Sequence, residues 1–114
     1  MRVIERELNL ALDRHENWRK SNTEVRVNGA HAEVYLHGNH IATLNRAKRS
    51  VEFVSGASTK WFSRTTFSRQ NAIARQWLGR TVFYTHKFVP MLSRSVGDRE
   101  WDCNDFYSFN CPQL

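Results

Sequence analysis

The sequence predicts an α+β fold. An antiparallel meander sheet of four to five strands carries two helices on one face, in the order α-β-β-β-β-α-β, with a C-terminal tail. Three observations carry the prediction. Apolar residues recur at spacings of three and four near the N-terminus and again after residue 64. Between these stretches, short runs of Val, Ala, Ile and Leu alternate with polar residues. The dipeptides Asn28-Gly29 and Gly38-Asn39 punctuate those runs where tight hairpin turns belong.

The first helix is expected over residues 3–20, because Ile4, Leu8, Ala11, Leu12, His15 and Trp18 share one face. Ser21-Asn22 ends it. Asn28-Gly29 then suits the centre of a two-residue hairpin, since both positions need positive φ. That centre pairs Val27 with Ala30 and Val25 with Ala32 on one face, and Arg26 with His31 on the other. It also sets Glu24 against Glu33, a mild repulsion. A second turn at Gly38-Asn39 leads to a strand at 41–44, whose inward face is either Ile41 and Thr43 or Ala42 and Leu44. The basic loop 45–49 precedes a fourth strand at 51–54, and Ser55-Gly56-Ala57-Ser58 breaks the sheet.

The second helix starts at Thr65 or Thr66, either of which can cap it, and runs to Leu78 with Gly79 just beyond. Phe67, Ile73, Ala74, Trp77 and Leu78 form its apolar face. A further strand over 81–85 adds to the sheet, and Pro90 closes the compact region. Residues 1–92 therefore read as one domain, and 93–114 as an acidic, aromatic tail.

The chain has 114 residues, 40% hydrophobic and 25% charged, which suffices for a core without disulfides or metal. No apolar run reaches the length of a membrane span. The segment Met1–Glu7 is charged too early for a signal peptide. A cytoplasmic location follows, with Cys103 and Cys111 as reduced thiols.

Charge is the strongest functional signal. Between Glu52 and Asp98 there is no acidic residue, and the window 34–97 holds ten Lys/Arg against Glu52 alone. Residues 1–33 are balanced, and the last seventeen residues set Arg99 against four acids. Such a block attracts an opposite partner, and nucleic acid is the obvious one. The candidate binding residues are Arg46, Lys48 and Arg49 on the loop, with Lys60, Arg64, Arg69 and Arg75 at the second helix. Trp61 and Phe62 lie among them as base platforms, or more simply as core residues at a helix start. The two basic clusters make one patch only if the hairpin end and the helix start lie side by side.

The tail aromatics Trp101, Phe106, Tyr107 and Phe109 form a second candidate surface. The tail can fold back over the basic face, swap onto another copy to give a homodimer, or pack on the core. His37, His40, Cys103 and Cys111 match no zinc-site spacing, so no metal or other cofactor is expected. No nucleophile, Walker or dinucleotide motif occurs, and the expectation is a non-enzymatic protein. The least unlike alternative is a small nuclease using Asp98, Glu100, Asp102 and Asp105.

His37-Gly38-Asn39 with Ile41-Ala42, Thr65-Thr66 with Arg69 and Asn71-Ala72, and Gly79 before a strand together resemble a family of small accessory proteins encoded by phages and prophages. The resemblance covers about residues 30–88 and departs from the usual pattern at Phe67 and Gln70. It implies a phage origin and an accessory role in the infected cell. The expected function is binding to nucleic acid or a nucleoprotein complex in the host cytoplasm. The alternative is an inhibitor that binds a host defence or transcription complex.

Overall fold

The computed structural model describes residues 2–54, 64–87, 89–93, 97–100, 106–112 and 114. Helix α1 spans Val3–Arg14 and buries Leu8, Ala11 and Leu12, the face its periodicity predicted. It ends earlier than the periodicity alone suggests. His15 takes a left-handed conformation (φ 56°, ψ 50°), and its ring lies 2.7 Å from the carbonyl of Gly29. A carbonyl only accepts, so Nε2 carries the proton and Nδ1 is free to accept from Arg46 Nε at 3.3 Å. A contact with a distant turn thus holds the helix end. Trp18 reaches the core from strand β1 (Trp18–Lys20) and not from a helix.

The chain continues through β2 (Thr23–Asn28), β3 (His31–Leu36), β4 (Asn39–Asn45) and β5 (Ser50–Val54). Helix α2 (Arg64–Leu78), β6 (Phe83–His86), β7 (Val89–Leu92), β8 (Arg99–Glu100) and β9 (Phe106–Asn110) follow. The main sheet has six strands in the order β1-β2-β3-β4-β5-β9, all neighbours antiparallel. The α+β class and the meander hold, with β1 and β9 added at the two edges. The strand expected to extend this sheet after α2 instead opens a second, three-stranded sheet, β6-β7-β8. Pro90 lies within β7, opposite Thr85 of β6.

The β2–β3 hairpin keeps the predicted faces but shifts its turn by one residue. Gly29 alone supplies positive φ (59°), and Asn28 pairs with His31 across Gly29-Ala30. Val27 then faces Ala32, and Val25 faces Val34. Moving the centre by one moves each pairing by two, so inward residues stay inward. The shift also removes the expected clash of carboxylates, because Glu33 now faces Arg26 and Glu24 faces Tyr35. At the next turn His37 and Gly38 both have positive φ (52° and 79°), so the turn sits one residue before Gly38-Asn39.

A register irregularity at Val34/Tyr35 leaves Ile41 unpaired between Ala42 and His40. Ala42, Leu44 and the bulged Ile41 are all buried. Gln70 of α2 answers the bulge, its Nε2 donating to the Ile41 carbonyl at 3.1 Å and to that of Val54 at 3.3 Å. Both helices pack on one face of the sheet. Their Leu8, Leu12, Ile73 and Trp77 join Val25, Val34, Leu44, Val51 and Phe53 in one core. Phe53 is fully buried and meets Phe83 edge-on, with ring centroids 5.2 Å apart.

The segment read as a tail supplies β8 and β9. β9 pairs along β5, with Val51 opposite Phe109 and Phe53 opposite Tyr107. Tyr107 is buried and Phe109 packs against the core. Of the docking sites open to this segment, the core and sheet edge take residues 106–110.

Candidate functional site

The basic residues divide between two poles. The loop joining β4 and β5 lies beside the C-terminal end of α2, not its start. The Arg49 carbonyl accepts the Cys111 N–H at 2.8 Å, and the Cys111 thiol donates to the Trp77 carbonyl at 2.9 Å. Arg64 begins α2, thirteen residues before Trp77, which is about 20 Å along the helix axis. The loop and the helix start are therefore not one patch.

The loop itself is firmly built. The Asn45 side chain accepts the Lys48 N–H at 3.0 Å, and the Arg46 N–H donates to Ala30 O at 3.0 Å. Arg49 holds a left-handed φ of 51°. Lys48 and Arg49 are exposed. Arg46 is not free to bind elsewhere: its Nη2 donates to the carbonyls of Leu12 at 2.9 Å and Asp13 at 3.2 Å. It satisfies the last carbonyls of α1 and opposes the negative helix end.

Two cations unmarked by the sequence join this pole. Arg80 follows Gly79, whose φ of 74° ends α2. Its guanidinium lies 5.6 Å from the Phe109 ring and donates to Ser93 O at 3.2 Å. Arg14 is exposed in the last turn of α1, next to the carbonyls that Arg46 caps. Asp13 and Glu16 border the surface as exposed acids. A helical end followed by Gly-Arg was the available signal for Arg80.

The remaining candidates scatter. Arg64 and Arg75 are exposed on the outer stripe of α2. Arg69 is 4% exposed and donates to Glu5 Oε2 at 2.8 Å, and its Nε donates to Thr23 Oγ1 at 3.1 Å. It is a core residue that ties α2 to α1 and β2, which takes it off any phosphate-binding surface. Lys60, Trp61, Phe62, Trp101 and Cys103 lie outside the described residues. Phe106 opens β9, while Tyr107 and Phe109 serve the core.

The sheet face turned away from the helices is polar and mixed in charge. Arg26 binds Glu24 at 3.1 Å and lies 4.3 Å over the Tyr35 ring. The Tyr35 hydroxyl donates to Glu33 at 3.0 Å. The Arg26 hydrogen bond holds the Glu24 carboxyl below its ordinary range. Burial, and then the Glu33 hydrogen bond, push the Tyr35 phenol above its ordinary value. His40 Nε2 lies 2.6 Å from Thr43 Oγ1 and 3.0 Å from Ala42 O. The carbonyl needs the ring proton as donor, so this nitrogen cannot at once act as base toward the hydroxyl. Among the described residues no group of three or more His, Cys, Asp or Glu could hold a metal ion.

The sequence model of the Kyanoviridae Gp96 protein family matches residues 1–111. The chain belongs to that family. The Gp96 match includes α1 and β9, beyond the stretch 30–88 that carried the resemblance, and it makes this a phage protein. No curated protein and no solved structure matches the chain significantly. Among the described residues, no helix is long and apolar enough to cross a membrane.

Proposed function

We propose that this Gp96-family protein is a non-enzymatic phage accessory protein that binds nucleic acid in the host cell. The contact surface is the pole where the β4–β5 loop meets the ends of both helices. The observation that carries this reading is the exposure of Lys48 and Arg49 on a loop whose backbone is hydrogen-bonded in place, beside Arg14 and Arg80. A fixed backbone limits the ordering cost of meeting phosphates to the side chains. The loop is short and carries no aromatic platform, so it supports backbone recognition with little sequence preference.

The test is fluorescence anisotropy with single- and double-stranded oligonucleotides at rising salt. Four phosphate contacts predict a loss of about 150-fold in affinity between 50 and 200 mM salt. The double variant Lys48→Glu/Arg49→Glu should abolish the salt-sensitive binding. Unchanged affinity for both DNA and RNA would sink the reading.

One observation favours a second reading, an inhibitor that binds a host defence or transcription complex. Val3 and Leu10 are 56% and 47% exposed on the outer side of α1. Leu10 borders a groove against α2 lined by Arg6, Asn9, Asp13 and Gln76. Apolar side chains seven residues apart on a helix suit a protein contact. A pulldown from bacterial lysate separates the readings: a partner that survives nuclease treatment favours the second.

A further inference from the structure

At the pole opposite the basic loop, the β1–β2 and β3–β4 turns border a half-open cavity of about 320 Å³. Arg19, Ser21, Asn22, Thr23, Glu24, Arg26, His37 and Gly38 line it. The volume lies near the lower end of small-ligand sites. Two guanidinium groups face one carboxylate here. Glu24 is engaged by Arg26 at 3.1 Å, and the exposed Arg19 stands opposite Glu24 in the β1–β2 ladder, where its charge also helps hold that carboxyl below its ordinary range. The lining therefore keeps one cation in excess.

Its floor is preorganised from the core. The Asn22 side-chain oxygen accepts from Thr23 Oγ1 at 2.9 Å, and Thr23 Oγ1 accepts from the buried Arg69 at 3.1 Å. Arg69 is in turn held by Glu5 at 2.8 Å. With its oxygen taken, the Asn22 amide turns its NH2 toward the His37 ring, 3.4 Å away. The His37 N–H donates to Asn22 O at 2.8 Å, which clamps the two turns together.

Ser21 and His37 both hold left-handed φ, at 55° and 52°. Asn, Asp and His are the side chains most often found at such positions, and Ser21 sits there at a conformational cost. Both residues line the cavity.

We propose that this cavity binds a phosphate group carried by a nucleotide, with Arg19 as the charged anchor and Ser21, Asn22 and His37 as hydrogen-bond partners. Arg26 stays on Glu24 and shields the anion from that carboxylate. The phosphate can come from a free mononucleotide or from the backbone of a strand, and the two sources are separable by experiment. The site is independent of the Lys48/Arg49 surface.

The experiment is an NMR titration of the labelled full chain with inorganic phosphate, adenosine 5′-monophosphate and an oligothymidylate in separate arms. Saturable shifts at the amides of Ser21, Asn22, His37 and Gly38 are expected in at least one nucleotide arm. Arg19→Glu should weaken them by at least about tenfold, and Lys48→Glu/Arg49→Glu should leave them intact. Tighter binding of the mononucleotide than of phosphate assigns a free nucleotide. Saturation by the oligonucleotide alone assigns the backbone. The proposal is overturned if no arm saturates by about 20 mM, if phosphate binds as tightly as both nucleotide probes, or if a well-dispersed Arg19→Glu spectrum shifts as the parent does.

Discussion

Arg69 and Glu5 form an ion pair of 2.8 Å with side chains only 5% and 2% exposed. Ser68 also donates to the same Glu5 oxygen, and Thr23 accepts from Arg69. Two helices therefore meet on one carboxylate, and a strand meets the guanidinium that faces it. Removing one partner strands a charge in the core. Glu5→Ala or Arg69→Ala should each cost about 3–5 kcal/mol by urea unfolding. The pair replaced together by Leu and Met should recover most of that loss. Additive losses in the double variant would show that the two residues do not act as a pair.

Asn71 stands in for a missing strand. Its Oδ1 accepts the N–H groups of Val82 and Phe83, both at 2.9 Å, and its Nδ2 donates to Phe83 O at 2.7 Å. Asn71→Leu should lower stability by about 2–4 kcal/mol, since buried backbone groups lose their partners. Hydrogen exchange should quicken at Val82 and Phe83 first. Unchanged exchange there would remove Asn71 from this role.

Arg46 and Lys48 are neighbours with different tasks. Arg46→Ala should destabilise α1 by about 1–2 kcal/mol through the Leu12 and Asp13 carbonyls. Lys48→Ala should leave thermal stability within about 0.5 kcal/mol of the parent. The comparison is read from melting curves, and equal losses would contradict the assigned cap.

Tyr35 and Tyr84 should both deprotonate above the ordinary tyrosine range. Burial and Glu33 raise the Tyr35 value, and the Asp98 hydrogen bond raises that of Tyr84. A raised folded-state value means stability that is whole below the unfolded phenol value of about 10 and lost as pH rises through the folded one. Ultraviolet titration of tyrosinate should show the Tyr35→Phe variant losing a late-titrating step. A midpoint at or below 10 for that step would contradict the Glu33 contact.

The parts of the fold that were legible in the sequence rest on local chemistry. Residues Val25, Val27, Ala32 and Val34 declare their inward face by period two, and that parity survived the one-residue shift of the turn. Gly79 marked the end of α2 for the same local reason. Trp18 misled because its spacing from Ala11 and His15 fits a helix, while the stop at His15 depends on Gly29, fourteen residues away. β9 was hidden because nothing near it in sequence names β5 as its neighbour. Arg69 carried a readable warning: it sits three and four residues before Ala72 and Ile73, on the side of α2 that faces inward. The basic block counted charges along a line, and the helix carried them to opposite poles.

The position of β9 also bears on how the chain is made. β5 leaves the ribosome about fifty residues before the strand that covers its free edge. Until then a nascent chain presents Val51 and Phe53 beside an unsatisfied row of backbone amides, the kind of edge that recruits other strands. Closure of the sheet is thus tied to late translation. A chain stalled before residue 106 would be a candidate for chaperone capture or co-aggregation with its sister chains.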